Sequence, residues 1–394
     1  MTALQTTLSS SFNRFFESEK SSGIVLIFCT ILSLLVANSA FGPAYLDFWH
    51  IKVLGLSLEH WANDALMAVF FLFVGLELER ELYVGELSNF KKALLPIVAA
   101  AGGIVVPAGI HFALNADTPM QSGAGIPMAT DIAFALGVLA LLGSRVPASL
   151  KIFLTALAVM DDLGAIIVIA IFYTTQFSPA YLLASLAVFG VLVVLNRLRV
   201  MSLLPYLLGG ALMWFLMLKS GVHATIAGVL LAFAIPFTGR AEDDASPSHR
   251  LEHWLHKPVA FLVLPIFALA NTGIIVAAGW DQELLSSNSL GILGGLVIGK
   301  PLGIFLASFL AVSVGLCALP GDIKWRHIFG AGLLGGIGFT MSIFITNLAF
   351  AGNVDLINAS KMAILMASLV AGGFGFLWLR LANSLEKSTN QGVC

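Results

Sequence analysis

Residues 150–173 read LKIFLTALAVMDDLGAIIVIAIFY, an apolar run interrupted near its middle by two adjacent acids, Asp161 and Asp162. A run of this length and composition is read as a membrane-spanning helix. Packing alone does not put two carboxylates at such a depth. Asp131 lies in a second apolar run and Lys300 in a third. On the insertion scale each charge at a helix centre costs roughly 2.5–3.5 kcal/mol, so four without partners would cost on the order of 10 kcal/mol. Charges kept at that cost mark a site and call for one another as partners.

The composition points the same way. The chain is 58% hydrophobic and 11% charged, with a mean hydropathy of +0.95, which sets the fold class as an all-α polytopic membrane protein. A net charge of −2 gives no basic field for nucleic acid, and no nucleic-acid partner is expected. Cys29, Cys317 and Cys394 form no CxxC pair, so neither a disulfide framework nor a zinc site is expected. The chain carries no P-loop, no Gly-x-Ser-x-Gly and no pair of acid-rich loops, so no cofactor and no enzyme activity are expected; transport without nucleotide is favoured.

Apolar stretches at 23–38, 60–82, 93–112, 123–142, 150–173, 181–195, 203–218, 223–237, 258–278, 290–310, 328–350 and 362–381 predict about twelve transmembrane helices in one integral-membrane transporter domain, 1–394. The count falls to eleven if the seventh and eighth form one re-entrant unit. With the amino terminus inside, all of the 20 Lys and Arg residues fall on the cytoplasmic side except Lys52, Lys219, Lys361 and the intramembrane Lys300. Both termini are then cytoplasmic. Residues 47–58 alternate around Gly55 and suit a short extracytoplasmic β-hairpin; a homodimer contact through residues 45–58 is one reading and a plain loop the other.

The fourth and eleventh stretches carry helix-weakening residues at mid-depth. The fourth reads Gly123-Ala124-Gly125-Ile126-Pro127-Met128-Ala129-Thr130-Asp131 before a good helix former, so Thr130 and Asp131 resemble an N-cap inside the membrane. The eleventh has Gly332, Gly335, Gly336 and Gly338 before Phe339-Thr340-Met341-Ser342. The triplets of stretches three to five and ten to twelve start from opposite sides, the pattern of an inverted repeat, with core repeats at about 93–174 and 290–382. Broken helices leave positive N-terminal and negative C-terminal ends in a low dielectric. Asp131 can offset the first and Lys300 the second.

Ala129-Thr130-Asp131-Ile132-Ala133-Phe134-Ala135-Leu136-Gly137, Asp161-Asp162-Leu163-Gly164-Ala165, Gly299-Lys300-Pro301-Leu302-Gly303, Val74-Gly75-Leu76-Glu77, Gly221-Val222-His223-Ala224-Thr225, Leu251-Glu252-His253 and Gly335-Gly336-Ile337-Gly338-Phe339-Thr340-Met341-Ser342 together resemble the NhaA-type sodium/proton antiporters, in order and spacing over nearly the whole chain. That family is among the known inverted-repeat transporters. The resemblance implies an electrogenic Na⁺(Li⁺)/H⁺ antiporter of the bacterial inner membrane, with Na⁺, Li⁺, H⁺ and membrane lipid as its partners. It also implies that Asp161 and Asp162 bind the ion, that Thr130, Asp131, Lys300 and the break at Gly338, Phe339 and Thr340 support the crossing, and that cytoplasmic acids and histidines tune activity with pH. His249 stands where that family would have lysine.

The chemistry can be reasoned without the name. A small alkali cation needs several oxygen ligands, which carboxylates, the Thr130 hydroxyl and unwound carbonyls supply, and a proton binds the same carboxylates. One occupant at a time gives exchange. Neighbours on a helix point about 100° apart, so the two acids play unequal parts. Asp162 is expected as principal ligand and Asp161 as ligand or as partner of Lys300, itself proton carrier or structural. At the cytoplasmic side Glu77, Arg80 and Glu81, with Glu252, His253 and His256, are either pH sensors or ordinary ion pairs. Asp64 reads as a helix N-cap. A cation-coupled solute symporter is the alternative function.

Overall fold

Helix dominates the computed structural model, which describes residues 21–174, 177–238, 246–276 and 279–391. In chain order these are α1 (Ser21–Ala37), α2 (Gly42–His50), α3 (Leu58–Tyr83) and α4 (Phe90–Leu114). A 3₁₀ stretch, Pro119–Met128, then precedes α5 (Ile132–Leu141). α6 (Ala148–Phe172), α7 (Pro179–Arg197), α8 (Leu204–Ser220), α9 (Ile226–Ala234) and α10 (Pro247–Asn271) follow. The last are α11 (Ser287–Ser313), α12 (Trp325–Gly335), α13 (Phe339–Ala349) and α14 (Val354–Gln391). Between α2 and α3, strands β1 (Lys52–Val53) and β2 (Leu56–Ser57) pair antiparallel, Lys52 opposite Ser57 and Val53 opposite Leu56.

Among the described residues seven helices are long and apolar enough to cross a membrane, and ten spans result if each of three bent pairs counts once. The chain is thus a multi-pass helical membrane protein. All twelve apolar stretches contain helix, but α8 has 17 residues and α9 only nine. At about 1.5 Å per residue α9 rises roughly 14 Å, half of the ~30 Å hydrocarbon layer. The eighth stretch, expected at 223–237, is cut at both ends. Gly221, left-handed at φ 81°, stops α8. Pro236 forces Ile235 into extended backbone at ψ 138° and stops α9.

The described residues fold as two compact units, one within 21–31, 91–164 and 274–391 and the other within 32–90 and 165–273. The first holds α4, the 3₁₀ stretch, α5 and α11–α14, which include most of the two stretches expected as repeats. Within it α12 packs on α11 and α14, and α13 on the 3₁₀ stretch and α14. Gly102 of α4 and Gly303 of α11 face each other so closely that a Cβ on either would enter the shell of the other's carbonyl oxygen. Only glycine permits that approach, which brings two backbones together as small residues do in membranes. In the second unit α3 packs on α9 and α10, and α7 on α8.

Candidate ion site

Two helix breaks build the site. The 3₁₀ stretch and α5 meet at 42° across Ala129, Thr130 and Asp131, and α12 and α13 at 47° across Gly336, Ile337 and Gly338. Ala129 and Asp131 are extended, at ψ 151° and 101°. The Asp131 carbonyl accepts from the Ala135 amide of α5 at 2.9 Å, while its own amide stands outside any helix ladder and donates to Ile337 O at 2.6 Å. The breaks therefore hold one another.

Each of the four helix ends at this crossing receives a side chain. Asp131, 2% exposed, caps α5 by accepting from the Phe134 amide at 3.0 Å. Its other oxygen accepts from the Thr340 amide at 3.0 Å and the Thr340 hydroxyl at 2.5 Å, so the same carboxylate caps α13. Lys300 Nζ donates to Met128 O, the last carbonyl of the 3₁₀ stretch. Thr130 Oγ1 stands 2.9 Å from Gly335 O, the last carbonyl of α12. Negative charge sits at the N-termini and donors at the C-termini, as the helix dipoles require.

Lys300 reaches this point because α11 is locally underwound and widened. Residues Gly295–Gly299 form a π turn in which the Lys300 amide bonds Gly295 O, five residues back. Pro301 has no N–H for Val297 O, so the ladder is already interrupted there. Lys300 and Asp161 are both fully buried and their charged atoms are 2.6 Å apart. The oxygen that accepts Lys300 also lies 2.7 Å from Thr130 Oγ1. Thr130 has one hydroxyl proton and two acceptors, so Asp161 Oδ2 and Gly335 O compete for it. Asp161 Oδ1 is buried without a hydrogen-bond partner. Asp162, next along α6, is 1% exposed.

Of the residues singled out in the sequence, Thr130, Asp131, Asp161, Lys300 and Thr340 converge by direct bonds. Phe339 packs edge-on against Phe134 at 4.9 Å, and its amide bonds Ser368 Oγ at 3.2 Å. Gly338 is the N-cap residue of α13 and accepts from the Ser342 amide at 2.8 Å. The backbone acceptors Met128 O, Gly335 O and Ile337 O, and the bond from Ser342 Oγ to Ile126 O at 2.7 Å, carry no residue-type signal and could not be read from sequence.

The acid–histidine group belongs to the second unit. Arg80 of α3 bonds Glu252 of α10 at 2.8 Å and Glu81 at 3.0 Å, with Glu77 at 4.0 Å. Glu252 also has His249 at 3.7 Å. His256 meets the Phe73 ring at 5.9 Å, and His253 lines a cavity with Arg250, Trp254 and Leu207. Glu79, which the sequence did not single out, is 5% exposed and accepts from Ser248 at 2.9 Å. Asp64 is not the N-cap of its helix: Ser57 caps α3 by accepting from the His60 amide, and Asp64 pairs with His60 at 2.7 Å. Among the described residues no three His, Cys, Asp or Glu side chains group as metal ligands.

The family model described as Na+/H+ antiporter 1 matches residues 13–379. The chain belongs to this family. Among its relatives, a Na(+)/H(+) antiporter NhaA of Dechloromonas aromatica is 77% identical over 380 residues, covering 96% of this chain and 98% of that protein. One from Flavobacterium psychrophilum is 58% identical over 381 residues, covering 96% and 98%. One from Helicobacter pylori is 46% identical over 422 aligned positions, covering 95% and 96%. Family membership marks the chain as a transporter rather than an enzyme.

Proposed function

We propose that this protein exports Na⁺ and Li⁺ in exchange for protons across a bacterial inner membrane, electrogenically and under pH control, with both termini cytoplasmic and twelve spans. The relatives named as sodium/proton antiporters support the reaction. One observation carries the site: a fully buried Asp161 whose Oδ2 is held by Lys300 and Thr130 while Oδ1 accepts no hydrogen bond, beside the buried Asp162. Asp161 Oδ1, the Asp162 carboxylate and the Thr130 hydroxyl supply hard oxygen ligands for a small cation. A proton arriving at either acid removes one of them.

Lys300 and Asp131 hold the crossing, and the 47–58 hairpin serves as dimer contact. Cation entry at Asp161 weakens its hold on Lys300, which makes Lys300 the second proton carrier. Alternating exposure of the acids then exchanges the two ions, while the empty, doubly negative form is retained. The Arg80 and Glu252 cluster adjusts this with cytoplasmic pH.

Proteoliposomes with an imposed proton gradient test the reading. Na⁺ and Li⁺, but neither K⁺ nor organic solutes, should collapse the gradient, and Asp162→Asn should abolish the response. Collapse by a solute alone would make the protein a symporter.

A further inference from the structure

A second buried polar group lies in the first unit, away from the helix breaks. His111 of α4, Asn115 just beyond its end, Asn288 of α11 and Ser360 of α14 are all 0% exposed. Their hydrogen bonds fix which atom is which. Ser360 Oγ donates to Leu356 O at 2.7 Å and so accepts from Asn288 Nδ2 at 2.8 Å. This turns Asn288 Oδ1 toward His111 Nε2 at 3.1 Å, and an amide oxygen only accepts. His111 therefore carries its hydrogen on Nε2. Its Nδ1 is buried without a hydrogen-bond partner.

Asn115 repeats the situation one turn later. Its Nδ2 lies 2.9 Å from His111 O and 3.1 Å from Ser287 O, both pure acceptors, so its oxygen is the atom left over. Asn115 Oδ1 is buried and accepts from no protein donor. A buried acceptor left without a donor is unfavourable, so each of the two calls for one. Cβ atoms four apart on a helix face stand about 5–6 Å apart. One water donating two bonds of about 2.8 Å at its tetrahedral angle joins acceptors about 4.5 Å apart, a span that side chains of such a pair can present to it. Glycines keep the space narrow: a Cβ on Gly291 would come within 2.8 Å of His111 Cδ2 and 2.9 Å of Asn115 Nδ2, and one on Gly123 within 3.1 Å of His111 Cε1. A bare Na⁺ is poorly served by an imidazole nitrogen, whereas a water or hydronium is well served.

We propose that His111 is a second proton-binding station, loaded through a water held between His111 Nδ1 and Asn115 Oδ1. A hydronium in that place gives up one O–H bond, Nδ1–H forms, and the positive charge moves onto the imidazolium. Nε2–H stays on Asn288 Oδ1 throughout, and nothing is oxidised or reduced.

The groups facing the ring are neutral: Asn115 from its own chain segment, Asn288 and Gly291 from α11, and Gly123 from the 3₁₀ stretch. Of the charged residues of these elements and of α14, one stands directly beside the group, the buried Lys361 at 6% exposure. Lys361 follows Ser360, Asp117 is exposed beyond Asn115, and Lys300 lies twelve residues on in α11, about 18 Å away along the axis. The 3₁₀ stretch runs from Gly123 at the ring to Met128 O at Lys300, roughly 10 Å at 2 Å per residue. In the topology read from the basic residues, this is the extracytoplasmic end, where an antiporter of this kind takes up protons. The direction of use rests on the antiport reading; the proton site does not.

¹⁵N-histidine NMR of the reconstituted protein, with His111→Gln to assign the signal, decides the chemistry. We expect an Nε2–H tautomer at about pH 8 that gains Nδ1–H on acidification toward about pH 5. An Nδ1–H tautomer, or an Nδ1 that takes no proton over that range, overturns the proposal. Asn115→Leu should remove the water signature at Nδ1 while leaving the ring on Asn288.

In oriented proteoliposomes with the cytoplasmic pH fixed, His111→Gln should lose the component of exchange that follows extracytoplasmic pH and keep its Na⁺ saturation. An unchanged extracytoplasmic profile, or equal loss at every pH, overturns the role. Absence of Na⁺-driven exchange in wild type would instead remove the antiport reading and leave the NMR result standing.

Discussion

The Lys300–Asp161 pair should behave as one thermodynamic object. Both side chains are fully buried and 2.6 Å apart, so Lys300→Met leaves Asp161 with the shared Thr130 hydroxyl, and Asp161→Asn leaves a charged Lys300 on Met128 O. Breaking a buried pair by removing one partner costs about 3–5 kcal/mol, whereas replacing both by neutral groups of similar volume is often near neutral. The Lys300→Met/Asp161→Asn double variant should therefore be more stable than the sum of its singles by at least ~2 kcal/mol, several times the ~0.5 kcal/mol scatter of independent sites. Unfolding of the purified protein in mixed micelles, followed by tryptophan fluorescence, measures the cycle. Additive singles would show that the pair is not coupled as its geometry demands, and the assignment of Lys300 to Asp161 would fall. Exchange should be lost in all three variants, which separates stability from transport.

Asp131→Asn keeps one acceptor oxygen but places an amide against a helix N-terminus. A loss of about 2–4 kcal/mol is expected from two helix ends and one mispaired donor, read in the same unfolding assay, and Asp131→Glu should not restore it because three donors fix the shorter reach. Thr130→Val should reduce apparent Na⁺ affinity in the vesicle assay far more than Thr130→Ser, since serine keeps the oxygen at the same place. Gly303→Ala should destabilise by about 1–3 kcal/mol or more, because its Cβ meets the backbone of Gly102, while Gly109→Ala, with open space around it, should be neutral or slightly stabilising. Glu252→Gln removes one of the acids on Arg80 and the one facing His249. It should displace the pH at which exchange is half-maximal while leaving the maximal rate; an unmoved profile would reduce the cluster to a tie between α3 and α10.

What could be read in advance follows from which interactions are local. Asp131 as a cap announces itself, since a short acid before a helix-forming run needs only neighbouring amides, and α5 starts there. Asp64 looked the same on paper, yet Ser57, seven residues earlier, begins the helix. Capping depends on where the helix starts, and the turn of the hairpin before it decides that. α9 likewise ends at Ala234 because of Pro236, a local signal that an apolar average passes over.

Composition and local pattern are enough to establish a membrane protein of many helices, four charges within its apolar runs, and two helices that break. Hydrocarbon solvation and backbone propensity act residue by residue and need no partner. It took the folded chain to pair Lys300 with Asp161 rather than Asp162, to cap two helices with one carboxylate, and to leave His111 Nδ1 without a protein partner. Those outcomes depend on atoms more than a hundred residues apart meeting at hydrogen-bond distance, and a hydrogen bond has no counterpart in the linear pattern until the chain has closed around it.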